Sequence, residues 1–269
     1  MSALSIALVG CGKMGTALLR GWIDTSVISH VDILEPEDVG VSSPLISHVR
    51  NANEFRPAPD HPWDMLVLAV KPQMMKTVCD SLMPALLPGV PVLSIAAGKT
   101  LASLKSYLRA EQPIIRAMPN TPAAIGKGIS VAVASREITP GQKHIAHQVL
   151  SAGGKLAWVD DETQMDAVTA LSGSGPAYVF YLIEVLAAAG EKAGLPPEMA
   201  MILARQTVIG SGALAETDKA LPAAMLRQNV TSPGGTTEAA LSVLMDGRLQ
   251  QIFDAAIEKA TARSRELSR

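Results

Sequence analysis

The sequence predicts an α/β protein in two parts: a doubly wound sheet over residues 1–160, then an all-helical domain over 161–269. Three observations predict it. A short apolar run, Leu4 to Val9, opens into GCGKMG (Gly10, Cys11, Gly12, Lys13, Met14, Gly15) and then a helical stretch, Thr16 to Thr25. Further strand-like runs recur, with helical pattern between them, as far as Val159. From Glu162 the strand signals stop, and helical spacing takes over.

The first strand is apolar at almost every position, as a strand covered on both faces must be. GxGxxG is weak alone, but between a strand and a helix it predicts a Rossmann-type dinucleotide site. There Gly10 makes the turn, Gly12 admits a pyrophosphate to the backbone, and Gly15 lets helix and strand close up. The second strand, Val31 to Glu35, ends in an acid twenty residues after Gly15, where a carboxylate meets the adenosine ribose. Glu35 would accept from both ribose hydroxyls and repel a 2′-phosphate, and Pro36, Glu37 and Asp38 bring no cation beside it. NADH is therefore expected over NADPH; the alternative is a Glu35 that points into solvent.

Residues 40–62 are rich in Ser, Pro, Asn and Asp, with a short strand near Leu45 to Val49. Asn51 and Asn53 are within reach of an adenine, though solvated loop residues are the plainer reading. Asp64 to Val70 is a buried strand followed by Lys71, and ligands sit beyond the carboxyl ends of such strands, so Val70 and Lys71 border the cofactor. Lys71 reads equally as a surface lysine. Val90 to Ala96 runs into Ala97, Gly98, Lys99 and Thr100, where small residues let a flat ring approach the backbone. Ile114 to Met118 precedes a loop stiffened by Pro119 and Pro122, and Gly128 to Ala134, Pro140 to Leu150 and Lys155 to Val159 add strand, helix and strand.

Six helical stretches follow: 163–171, 176–193, 198–216, 222–228, 237–245 and 249–267. Their side chains are small, and about 110 residues of this kind make a thin core, so a dimer that shares its core is expected. Between the fourth and fifth, Asn229 to Leu241 reads NVTSPGGTTEAAL. The Pro-Gly-Gly turn leaves backbone N–H groups uncovered at a helix start, a candidate pocket for a small carboxylate. Thr and Glu at that start also suit an ordinary capped turn.

Aromatic residues are only 3% of the chain, so its core must be Ala, Val, Leu, Ile and Met, and with a formal charge of −2 no electrostatic footprint for nucleic acid is expected. Cys11 and Cys79 can form neither a disulfide framework nor a zinc site, which fits a reducing cytosol. His144 and His147 lie three apart on a helix without a third ligand, so no metal is expected. The N-terminal segment lacks signal-peptide features, and no uninterrupted apolar run nears the roughly 18 residues that span a membrane, so a soluble cytoplasmic protein is the default. The second half shows no Ser/His/Asp or Cys/His constellation. Imine reduction suits such a site, since a protonated C=N carbon needs a placed hydride donor rather than a strong base.

Six motifs then match one family in order: GCGKMG, AVKPQ (69–73), SIAAGKT (94–100), RAMPNTPA (116–123), ALSGSGPAY (170–178) and VTSPGGTTEAAL (230–241). On these the chain resembles pyrroline-5-carboxylate reductase, which makes L-proline in the last biosynthetic step. The resemblance implies that the Thr237 hydroxyl meets the imine nitrogen and that Ser232, Gly234, Gly235 and Thr236 hold the substrate carboxylate. It also implies that Asn229 contacts the cofactor, that Glu162 lines the substrate side, and that helical domains interleave in homodimers, sometimes assembled into rings. Glu35 departs from the family's usual tolerance of a 2′-phosphate. Two rivals stand beside this reading. A β-hydroxyacid dehydrogenase would carry a catalytic Lys where Val179 stands, and a non-catalytic dinucleotide-sensing protein would not need the Pro-Gly-Gly-Thr-Thr turn.

Overall fold

β1 (Leu4–Val9) is buried at every position because it lies inside the sheet, with layers on both faces. In the computed structural model, which describes residues 3–268, it leads directly into α1 (Lys13–Asp24). The sheet continues with β2 (Ile28–Leu34), β3 (Ile46–Val49), β4 (Met65–Leu68), β5 (Val92–Ser94), β6 (Ile114–Met118), β7 (Gly128–Ala134) and β8 (Gly154–Trp158). Its order is β3-β2-β1-β4-β5-β6-β7-β8. Neighbours are parallel except β6 and β7, so the last two strands run against the rest. The chain reverses its direction of winding between β1 and β4, the point at which such sheets open a crevice for ligands.

Helices cover both faces. On one, Leu18, Leu19 and Trp22 of α1 pack with Ala146, Val149 and Leu150 of α4 (Pro140–Ser151). The Trp22 indole N–H, fully buried, donates to Val149 O at 2.8 Å, which removes the cost of burying that donor. On the other face lie α2 (Met75–Leu82) and α3 (Leu101–Tyr107), with Phe55 and Trp63 from the loop after β3. The rings of Phe55 and Trp63 pack tilted at 34° with centroids 4.8 Å apart, and Trp63 Nε1 donates to Asp32 Oδ2 at 2.7 Å. The proline-rich segment thus serves as a lid on the core rather than a free loop. A third, smaller cluster joins Val131 and Val133 of β7 to Met165.

Beyond β8 the chain stays helical from Glu162: a 3₁₀ turn to Gln164, α5 (Met165–Val168), and a π-helical turn (Thr169–Gly173). Met165 and Ala170 are buried, and Gly173 lies so close to Met118 that a β-carbon would come within 2.4 Å of its methyl. Because this segment packs on the sheet unit, the compact units divide at Ser174/Gly175 and not at the 160/161 boundary set by the last strand signal. The final turns of the chain, from Ala260, also belong to the first unit. There Ser264, 5% exposed, donates to Asp166 Oδ1 at 2.7 Å.

The second unit spans Gly175–Lys259. It contains α6 (Gly175–Lys192), α7 (Pro197–Thr217), α8 (Ala223–Asn229), α9 (Thr236–Leu244) and most of α10 (Arg248–Leu267). Small residues bring α6 and α7 together: Ala187, Ala200 and Ala204 are buried, and Gly190 lies against Ala200. Among its described residues those three alanines are the only buried ones, while Val179, Phe180, Leu182, Ile202, Ile209, Ile252 and Phe253 are exposed. Few folded monomers leave so much contiguous apolar surface to water. The continuous helix 162–192 is long and apolar enough to cross a membrane, with a mean hydropathy of 1.2 over its best 18 residues. Ser172, Ser174 and Pro176 interrupt the apolar run without interrupting the helix, so the sequence holds no uninterrupted apolar run of that length.

Candidate active site

The three loop glycines are needed for three different reasons. Gly10 takes φ +88°, and a β-carbon there would lie 2.8 Å from Ala69 O and Val70 Cγ1. Gly15 faces the Gly10 carbonyl, where a β-carbon would come within 2.5 Å. Gly12, the N-cap of α1, has nothing within 4 Å of its missing side chain, so its exposed side is open to a ligand. No side chain caps α1. Its first turn borders a cleft of about 670 Å³ lined by Cys11, Gly12, Lys13, Met14 and Thr16. A helix N-terminus with free N–H groups and a cation beside it is suited to a pyrophosphate.

Glu35 reaches this loop. Its Oε2 accepts from the Cys11 N–H at 2.7 Å and its Oε1 from Glu37 N at 3.3 Å, so the carboxylate points at the glycine loop instead of solvent. From β3, His48 Nε2 lies 2.8 Å from Glu35 O, and Arg50 just beyond it donates to Pro36 O at 2.7 Å, which fixes the turn that carries Glu35. Burial pushes the Cys11 thiol up, a hydrogen bond from Thr16 pulls it down, and the Glu35 charge adds to the rise. Such a thiol is a poor nucleophile at neutral pH.

The other cofactor candidates fall at different distances from the cleft. Val70 packs against Gly10, and Lys71 is the exposed residue before a short 3₁₀ turn, Pro72–Met74. Ala96 is buried and Ala97 exposed beyond β5, at the same edge of the sheet. Asn53 is exposed in a turn before Phe55 and does not line the cleft, whereas Thr121 and Ala124 of the two-proline loop do. Arg20 and Val39 also line it and went unread in the sequence, and so does Asp38, read there only as bringing no cation beside Glu35. Arg20 follows Lys13 by seven residues, two helical turns along one face, and that spacing was the available signal. Asn120 ties this loop to its neighbours, accepting from Ile129 N at 2.9 Å and donating to Ser172 O at 3.3 Å.

Glu162 belongs to the sheet unit. Its Oε1 accepts from Arg116 Nη1 at 2.9 Å and from Leu101 N at 2.8 Å. In the helical unit, Asn229 ends α8 and the Pro-Gly-Gly turn follows. Gly234 takes φ +71°, Gly235 N donates to Ser232 O at 3.0 Å, and α9 begins at Thr236 with Gly235 as N-cap. The capping expected from the Thr hydroxyls does not occur, because the glycine turn places Gly235, not a hydroxyl residue, at the N-cap. Glu238 instead accepts from Gly234 N at 2.7 Å. The opening N–H groups of α9 thus stay available beside the half-buried Thr237. Val179, where the rival dehydrogenase needs an amine, is an exposed apolar residue on α6. His144 and His147 are exposed on α4, and among the described residues no three His, Cys, Asp or Glu side chains converge.

Comparison with known proteins divides the chain in a similar way. Residues 5–98 match the family model for NADP oxidoreductase, coenzyme F420-dependent. Residues 162–267 match the model for pyrroline-5-carboxylate reductase dimerisation. Pyrroline-5-carboxylate reductase of Pseudomonas aeruginosa is 40% identical over 100% of this chain and 98% of its own. That of Glycine max is 36% identical over 98% and 96%. Among solved structures, a pyrroline-5-carboxylate reductase from Coxiella burnetii superposes with a TM-score of 0.90 at 33% identity, covering 100% of both chains. The Plasmodium falciparum enzyme, solved with NADP bound, superposes with a TM-score of 0.83 at 28% identity over 100% of both.

Proposed function

Because the chain belongs to the pyrroline-5-carboxylate reductase family, we propose that it reduces L-1-pyrroline-5-carboxylate to L-proline with a hydride from a nicotinamide dinucleotide. The carrying observation is the uncapped start of α9 behind a Pro-Gly-Gly turn. Its N–H groups at Thr236 and Thr237, with the turn at Ser232, Gly234 and Gly235, suit the carboxylate of the ring. Thr237 is the catalytic residue of this reading: its hydroxyl meets the ring nitrogen. The hydride adds to the C=N carbon while the nitrogen keeps or gains one proton, giving the secondary amine. The protein's share is placement and charge, since the protonated imine is already electrophilic. Asn229, one residue before Val230, contacts the cofactor in this reading, and Glu162 lines the substrate side.

Glu35 favours NADH. Its carboxylate is held 2.7 Å from the loop N–H of Cys11, where it can turn to accept from two ribose hydroxyls and where a 2′-phosphate would meet its charge. Lys13 and Arg20, on the cleft wall, are the candidate partners of the pyrophosphate. We place the remaining cofactor contacts at Val70, Lys71, Ala96 and Ala97, with Asn53 toward the adenine. The exposed apolar faces of α6, α7 and α10 support a homodimer built through the helical unit, and the region that matches the dimerisation family covers those helices. A partner helix would cover the apolar run 162–192 without a bilayer. The buried free thiols Cys11 and Cys79 fit the reducing cytoplasm.

The test is oxidation of NADH or NADPH, at matched concentrations, by purified protein given pyrroline-5-carboxylate. Oxidation that favours NADH supports both the reaction and the role of Glu35. Oxidation that favours NADPH keeps the reaction and removes the cofactor argument. Well-folded protein that consumes neither brings forward a dinucleotide-sensing role.

A further inference from the structure

Arg116 is out of place in its strand. β6 reads Ile114, Ile115, Arg116, Ala117, Met118, and the arginine at its centre is 4% exposed. An apolar side chain would fill that space at no electrostatic cost, whereas a buried guanidinium forfeits its hydration and must recover it from a partner. The partner is Glu162, at 2.9 Å. The Leu101 N–H converges on the same oxygen, Oε1, from a third element. Two donors fixed in the sheet unit therefore hold the plane of the Glu162 carboxylate through one oxygen. No donor is recorded on Oε2 among the described residues, and the Glu162 side chain is 28% exposed. Half of this carboxylate is anchored and half is presented.

Neighbouring charges do not compete for it. On its own segment, Asp161 accepts from Thr163, and Asp166 accepts from Ser264, with Arg265 at 3.9 Å. On α3, Lys105 is paired with Glu137 at 2.6 Å. The β7 side chains near Met165 are Val131 and Val133. Arg116 is the one ion-pair partner recorded for Glu162 among the described residues.

The geometry points to Arg116 as a positioning residue for the reduction: it anchors Oε1 of Glu162 so that Oε2 stays free to accept an N–H from the bound imine. A carboxylate beside the C=N nitrogen favours its protonated form, which is the form that accepts hydride. This inference rests on the reading of Glu162 as a substrate-side residue, and the experiment separates the two. Glu162→Gln keeps an acceptor for Arg116 and Leu101 but turns an amide N–H₂ toward the ligand. Arg116→Met removes the anchor, and Arg116→Lys retains a cation that reaches one oxygen.

Steady-state kinetics on the full-length protein, with NADH affinity measured separately, are expected to show Glu162→Gln and Arg116→Met each lowering kcat/KM for the imine. The loss is about ten- to a hundredfold, that of one charge-assisted hydrogen bond. NADH affinity should stay within about twofold, well inside one such bond. The double variant should be little worse than either single one, because the two act as a unit, and Arg116→Lys should recover part of the loss. If Glu162→Gln retains full kcat/KM, the substrate-side reading of Glu162 fails and the inference falls with it. If Glu162→Gln loses activity while Arg116→Met keeps it, or the two losses multiply in the double variant, Arg116 does not position Glu162. Should Arg116→Met not fold, Arg116→Lys decides: full loss in that folded variant, or none, overturns the proposal.

Discussion

Gly12 and Gly15 separate what the cofactor loop needs for folding from what it needs for binding. In Gly15→Ala the new methyl would sit 2.5 Å from the Gly10 carbonyl, about 0.9 Å short of the 3.4 Å where ordinary contact begins. The obstacle is backbone, and it belongs to a glycine already held at φ +88°, so relief requires α1 to lift from the end of β1. Overpacking of this kind costs about 1–3 kcal/mol, and contact with backbone belongs at the upper end. The gain from alanine over glycine inside a helix offsets about 1 kcal/mol. The net is about 2 kcal/mol, or a fall in Tm of about 4–8 °C for a unit of this size. Gly12→Ala meets nothing within 4 Å, and φ −66°, ψ −166° is open to alanine. Its folding cost is that of a poorer N-cap, about 0.5–1 kcal/mol. Its methyl, however, occupies the space a pyrophosphate must approach, so NADH affinity should fall by about tenfold or more. Thermal melts and fluorescence titration with NADH measure both quantities on both variants. Unchanged affinity in Gly12→Ala would show that the dinucleotide does not lie on Gly12. A wild-type melt for Gly15→Ala would refute the close helix–strand contact.

Three further outcomes are expected. Glu35→Ser should narrow the NADH-to-NADPH ratio of kcat/KM by roughly tenfold, since one charge near a phosphate is worth between about 1 kcal/mol in water and about 4 kcal/mol partly buried; an unmoved ratio places Glu35 away from the ribose. Thr237→Ala should lower kcat by roughly ten- to a hundredfold with cofactor affinity intact, and an unchanged kcat removes its hydroxyl from the reaction. Glu137 is held at about 2, first by the Lys105 hydrogen bond and then by Ser135, below its ordinary 4.5. Its stabilisation is therefore complete above about 4.5 and drains away as pH falls toward 2. Glu137→Gln should melt lower than the parent at neutral pH, with the gap closing across that acid window, and a gap constant with pH would contradict the ion pair.

Strands buried on two faces were legible because that burial demands apolar runs, and β1 and β4 carry them with a single polar residue, Ser5, between them. Direction was not legible: apolar spacing is the same for either polarity, so the reversal at β7 left no trace in the residues. α2 and α3 are eight and seven residues long, and α3 buries a single side chain, Leu104. Two turns with one buried position give α3 no periodicity to read, whereas α2 carries Met75, Val78, Cys79 and Leu82 at helical spacing, a signal its residues did offer. At the site, the spacing from Gly15 found Glu35, but its hydrogen bond to Cys11 depends on the turn braced by His48, which no local pattern encodes. Arg116 was quoted within a motif and its partner Glu162 named separately. Their pairing across 46 residues is a product of the fold alone.

The chain has three tryptophans, at 22, 63 and 158, and all of them lie in the sheet unit. Trp22 is sealed from solvent, Trp63 is nearly so, and Trp158 sits under the Lys143 ammonium at 4.5 Å. The helical unit carries no tryptophan, and its aromatic residues are Tyr178, Tyr181, Phe180 and Phe253. Emission excited at the red edge of the protein band therefore reports one half of the molecule and is blind to the other. Circular dichroism, dominated by helix, weights the halves in the opposite sense. Dilution of a dimer held through its helices would unfold the dark half first, with the ellipticity falling before the emission moves.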